Sequence, residues 1–373
     1  MTVTSKIDAP APSGRGKDLS IQSLRGLAVI LMVAGHVIGN KASRGMTVAD
    51  DSVWRYSYLL LEDMRMPLFT VISGLVYALR PVQPGALQGF LKAKGRRLLF
   101  PLVTVGLLLF AMQIVIPGTN STPPLTDIWR IAVYGHDHLW FLLSVFIIFA
   151  VVALLDTHGV TSTRRGWAIT LAISAVLFVL LRFPSLWNLF SINGALRLLP
   201  FFLIGYGMQR YKLMDLRGWR ALGVVLVLAV LYVPRTAVVL DSLHPAPQLA
   251  RLLSFAIGFA GVVLLYSARH LIHFRALASL GGFSFAIYLL HVFGSSSARM
   301  ALGKIGIEQE IAVFAVCMVA ALGLPVVFVK LFGGWNPIRV GLLGEKRIPK
   351  KGRESESGKP SGLDARLAEE PRH

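Results

Sequence analysis

The chain has 373 residues, 54% of them hydrophobic and only 15% charged, where a soluble domain carries about 25% charged residues. Its net charge of +19 falls in short gaps between apolar runs, with no basic patch interleaved with aromatics, so nucleic acid is not expected as a partner. The one cysteine, Cys317, sits inside an apolar run, which excludes a disulfide framework and a thiolate metal site.

Residues 1–20 are polar, with Lys6, Arg15 and Lys17, and are expected to form a disordered cytoplasmic leader. After them, apolar runs of near-spanning length recur along most of the chain. They are unbroken and rich in Leu, Val and Ala rather than alternating, which argues for helices over a barrel. The fold class expected is all-α, a polytopic bundle of about ten transmembrane helices lying in the lipid bilayer. The predicted spans are 22–39, 57–79, 98–116, 139–155, 167–183, 195–209, 220–240, 250–268, 283–300 and 311–332, within one domain over 21–335.

The even-numbered gaps are basic: Lys92, Lys94, Arg96 and Arg97 precede the third span, and Arg164, Arg210, Arg269 and Arg275 mark later ones. That asymmetry places both termini in the cytoplasm and makes 40–56 and 117–138 external. Residues 345–373 are charged and rich in Gly, Ser and Pro, and read as a disordered cytoplasmic tail. The expected location is the plasma (inner) membrane, multi-pass.

The first span, Ser23-Leu-Arg25-Gly-Leu-Ala-Val-Ile-Leu-Met-Val-Ala-Gly-His36, carries an arginine at its start and a histidine near its end. Eleven residues are three helical turns plus roughly 20°, so Arg25 and His36 share a face about 16 Å apart. Ionisable groups inside a span are costly and rarely face lipid, which makes this stripe a functional candidate. A neutral imidazole at that depth suits a general base that takes a proton from a hydroxyl.

Further along, Arg65 lies near Glu62 and Asp63 in the second span, a cluster read as interfacial, and Pro67 and Gly74 point to a helix lined by protein. The run Lys92 to Arg97 anchors to anionic lipid or, alternatively, forms a cationic mouth for a donor's phosphates. His136 and His138 flank Asp137, but i and i+2 positions point to different helix faces, so no metal site is expected. Trp140 fits an aromatic belt. His291, about ten residues into the ninth span, hydrogen-bonds across the bundle or takes part in chemistry.

Four motifs in order then resemble the integral-membrane acyltransferase-3 family. They are R-x10-H at Arg25 and His36, M-P-x-F-x-x-x-S-G at Met66, Pro67, Phe69, Ser73 and Gly74, H-L-W-[FY]-L at His138 to Leu142, and S-x-x-I-Y-L-x-H at Ser284, Ile287, Tyr288, Leu289 and His291. The family's R-x-x-R before the third span stands here as Lys94 and Arg97.

The resemblance implies transfer of an acyl group, most often acetyl, from cytoplasmic acyl-CoA (acetyl-CoA) to a hydroxyl of a carbohydrate or other acceptor. The donor is a co-substrate; no bound cofactor is implied. Arg25, Lys94 and Arg97 would hold the donor's phosphates, and His36 with Arg25 would form the catalytic pair. Ser73, His138, Trp140, Tyr288 and His291 would border the acceptor or steady an oxyanion. Some members carry an extracytoplasmic hydrolase-like domain; where such a step is needed here, a partner enzyme would supply it. The residues alone leave a second use open, a transporter or flippase that employs the Arg25/His36 stripe for passage, although no second copy of the first-span motif is evident.

Overall fold

A computed structural model describes residues 18–272 and 274–348. Twelve α-helices and several short 3-10 turns make up this body: α1 Leu19–Ile38, α2 Val53–Tyr77, α3 Leu87–Val115, α4 Arg130–Tyr134, α5 Trp140–Thr157, α6 Arg164–Leu180, α7 Ile192–Arg210, α8 Trp219–Val239, α9 Pro247–Ser267, α10 Arg275–Gly282, α11 Ser284–Lys304 and α12 Glu310–Phe332. All of them but α4 and α10 overlie the ten predicted spans. Among the described residues, seven elements are long and apolar enough to cross a membrane. The charges of α2 and the 17 residues of α6 leave those two short of the same standard.

The ninth predicted span departs from a single rod. Helices α10 and α11 pass the test only together, bent by 82° at Phe283, and α10 lies against α1. The Gly281-Gly282 pair that reads as the entry to a span is the last turn of this separate helix.

Lipid-facing and protein-facing surfaces follow the sequence closely. Helix α8 has no buried residue, and its Leu226, Val230 and Val233 are exposed apolar side chains, as a helix bordering hydrocarbon requires. At the centre, α2 packs along α7 because small residues allow it. A Cβ on Gly74 would stand 2.0 Å from the Phe202 carbonyl oxygen, so the backbones close to a distance that only glycine permits. These features define a multi-pass membrane protein.

Buried polar clasps hold the bundle together. Asp63 of α2 is almost fully buried; it faces Arg197 of α7 at 3.4 Å and Arg235 of α8 at 3.2 Å and accepts a bond from Ser254 of α9. Near the other end, Asp156 accepts hydrogen bonds from Tyr77 (2.6 Å) and Tyr206 (3.0 Å), joining α2, α5 and α7.

The folded body runs past both predicted boundaries. Leu19 and Ser20, assigned to the leader, already lie in α1, capped by Asp18; residues 1–17 fall outside the described residues. Beyond 335, a π-helical turn over Ile338–Leu342 docks on α3, where Thr104 donates to the Gly341 carbonyl at 2.6 Å. Glu345 begins no free tail: its carboxylate bridges Arg97 at 2.9 Å and Arg339 at 3.2 Å. Residues 349–373 lie outside the described residues.

Candidate active site

The last turn of helix α1 carries Gly35 and His36, and these two residues organise the site. Without a side chain at 35, α1 leaves a slot that the Arg65 guanidinium of α2 fills; a Cβ there would lie 1.4 Å from Arg65 Nη1. Arg65 is 7% exposed, donates to the Tyr58 carbonyl at 3.2 Å and stacks on the Tyr58 ring at 4.0 Å. A desolvated guanidinium is thus fixed beside the histidine.

His36 opens into a cavity of about 410 Å³, within the range of roughly 300–1,000 Å³ typical of small-molecule sites. Two further imidazoles close behind it. Ring centroids of His36 and His291 are 4.9 Å apart, those of His36 and His138 5.8 Å, and those of His138 and His291 4.7 Å. Both rear rings are buried, while His36 is exposed to the cavity.

The backbone of α11 sets the proton positions. His291 Nδ1 lies 2.9 Å from the Tyr288 carbonyl and 3.1 Å from the Ile287 carbonyl, and two acceptors require Nδ1 to carry the hydrogen. Nε2 therefore presents a lone pair, and it is buried with no partner among the described residues. Neither ring nitrogen of His138 has a hydrogen-bond partner among the described residues. Its backbone is positioned instead, through the Tyr288 hydroxyl, which donates to the His138 carbonyl at 2.7 Å. Among the described residues, no three His, Cys, Asp or Glu side chains meet with metal-ligating geometry.

A polar relay forms part of the wall. His136 Nε2 pairs with Gln113 Oε1 at 2.8 Å, the Gln113 amide donates to Asp137 at 2.6 Å, and Arg44 meets Asp137 at 3.0 Å. Burial holds the His136 pKa below its ordinary value, against the neighbouring Asp137 carboxylate, which raises it. Asp137 itself adopts a positive φ of 46°, the turn that separates His136 from His138 and sends their rings to different neighbours.

The structure gathers some of the sequence candidates and separates others. His36, His138, Trp140 and Tyr288 line the cavity, with His291 immediately behind. Ser73 does not reach it; its hydroxyl turns back to the Phe69 carbonyl at 3.0 Å. Arg25 is half-buried on α1, lines neither the cavity nor the basic cleft, and has no hydrogen-bond or ion-pair partner among the described residues.

Lys94 and Arg97 share a cleft at the basic end with Arg96, Arg339 and Lys346. They are held differently. Lys94 rests its ammonium on the Phe149 ring at 3.7 Å, whereas Arg97 donates to the Leu343 carbonyl at 2.7 Å and pairs with Glu345. Arg65, Glu62 and Arg197, which read in sequence as interfacial charges or not at all, prove to line the cavity. The only local signal was the position of Arg65 two residues before Pro67.

An apolar helical bundle with a histidine-floored cavity at one end and a basic cleft at the other is the setting of a membrane-embedded enzyme. The chain belongs to the acyltransferase-3 family: a family model described as an acyltransferase domain matches residues 18–330. No curated protein and no solved structure matches the chain.

Proposed function

We propose that the chain is an O-acyltransferase that moves an acyl group, acetyl in the simplest case, from cytoplasmic acyl-CoA to a hydroxyl of a glycan held in the cavity. The observation that carries this reading is the His36–His291 pair. One imidazole is open to substrate, and the second, with its proton tied to backbone, offers a lone pair 4.9 Å away between ring centroids. In the reaction, one His36 nitrogen takes the acceptor's hydroxyl proton while its other N–H turns toward His291 Nε2. The freed oxygen attacks the thioester carbonyl carbon. Arg65, beside His36, steadies the oxyanion, a role for which the family resemblance offers Ser73 or His138. Collapse breaks the C–S bond, and His36 returns its proton to the departing thiolate, leaving an ester and free CoA.

The donor enters from the basic end on this reading. Arg97, Lys94, Arg96 and Arg339 suit its phosphates, since guanidinium forks bind phosphate bidentately. Arg25, without a partner among the described residues and on the α1 face that leads to His36, meets the donor between the two sites. The plasma membrane is the expected setting, because that membrane separates cytoplasmic acyl-CoA from an external glycan.

Membranes carrying the wild-type protein or His36→Ala, given labelled acetyl-CoA and envelope glycan, provide the test. Label in base-labile esters is expected with wild type and at least about 10²-fold less with the variant at equal protein level. Equal labelling by the two would remove His36 from the chemistry.

A further inference from the structure

The wall of the cavity is not charge-balanced. Two acids face it, Glu62 and Asp137, and each is already matched to an arginine of the same wall: Arg197 at 3.9 Å and Arg44 at 3.0 Å. Arg65, Arg299 and Lys41 line it as well, with no carboxylate at ion-pair distance among the described residues. Arg65 is committed to Tyr58 and to its place beside His36. Among the described residues Arg299 makes one hydrogen bond, from Nη2 to the Gly118 carbonyl at 2.9 Å, which leaves the rest of its fork open to a ligand. Lys41 is exposed and has no hydrogen-bond acceptor among the described residues.

The position of these charges separates them from the reaction centre. Arg299 lies eight residues beyond His291 on α11, about 12 Å along the helix, and Lys41 stands on the segment after α1. Asn40, Asn120 and Ser296 share this part of the wall and supply neutral donors. Membrane insertion does not account for the excess, because cations on the external side run against the positive-inside distribution. Anchoring to lipid headgroups does not account for it either, since these residues line the cavity floored by His36. A cleft with low-dielectric walls and charge of one sign concentrates ligands of the other.

We propose that the outer part of the cavity binds an oxyanionic group of the acceptor, a carboxylate or a phosphate, so that the enzyme selects anionic glycans over neutral ones. Arg299 and Lys41 read the charge. The anionic group sits on a unit next to the one that is acylated, because the charge-reading residues stand further out than His36. This inference deepens the acyltransferase reading and rests on it for the identity of the cavity as the acceptor site.

The test measures binding without acyl-CoA, so it is independent of turnover. Protein in phosphatidylcholine vesicles is titrated with three matched oligosaccharides: neutral, uronic-acid-containing and phosphorylated. The anionic ones are expected to bind about tenfold more tightly, with the preference shrinking as salt rises. The preference should fall below about twofold in Arg299→Gln and in Lys41→Gln, and persist in Arg130→Gln, a charge change outside the cavity.

Equal binding of neutral and anionic sugars, or a preference that survives both cavity variants, would overturn the proposal. Should Arg299→Gln fail to fold, Lys41→Gln and the salt series decide. The uronic and phosphorylated arms show which oxyanion is favoured. If phosphatidylglycerol added to the vesicles abolishes the preference at constant ionic strength, the charges serve a lipid headgroup, and the assignment to the acceptor falls. Acetyl transfer at equal rates to neutral and anionic glycans would sink the selectivity while leaving the transferase intact; anion binding without any transfer would do the reverse.

Discussion

His36 draws its chemical character from three neighbours on three elements. Gly35 gives it an adjacent guanidinium, His291 a lone pair set by the α11 backbone, and His138 a second ring held through Tyr288. The glycine is the most economical place to probe this arrangement. Gly35→Ala places a methyl group on Arg65, and the guanidinium must leave its slot. The expected result is a drop in kcat of about 10²-fold, the size seen when one oxyanion donor is removed, with KM for acetyl-CoA little changed and the protein still monodisperse. An unchanged kcat would show that Arg65 has no part in the transition state. Ser73 illustrates where residue-level reading fails. It shares a helix face with Met66, which lines the cavity, but seven residues put it about 10 Å deeper along α2, below the floor.

At the scale of elements, helix positions were legible because unbroken apolar length leaves few alternatives. The break between α10 and α11 was not, since Gly281-Gly282 serves equally as a helix end or an entry into lipid. The 338–348 segment was also hidden: its docking depends on Arg97 and Thr104 meeting the Leu343 and Gly341 carbonyls far away in sequence. His36 and His291 were visible through their positions inside apolar spans and His138 through the family motif it opens, whereas Arg299 and Gln113 gain meaning only from contacts made across the bundle.

Asp63 shows the same dependence in energetic form. It ties α2 to α7, α8 and α9, and its loss leaves two arginines without their buried partner. Asp63→Ala should cost about 3–5 kcal/mol, read as a marked fall in Tm in detergent, while His244→Ala at an exposed pair with Asp241 should leave Tm unchanged. Equal Tm values for wild type and Asp63→Ala would mean that the clasp does not hold the bundle.

For the molecule as a whole, the central claim is vectorial: the donor is held at the basic cleft of Arg97 and Arg339, the acceptor in the cavity of His36, and the acyl group crosses between them. Sealed vesicles containing the oriented protein test this most directly, with labelled acetyl-CoA confined to the side of the basic cleft and an anionic oligosaccharide to the other. The account predicts labelled ester on the far side while free CoA stays on the donor side, with His36→Ala vesicles silent. Label that forms only when donor and acceptor share one compartment would contradict it.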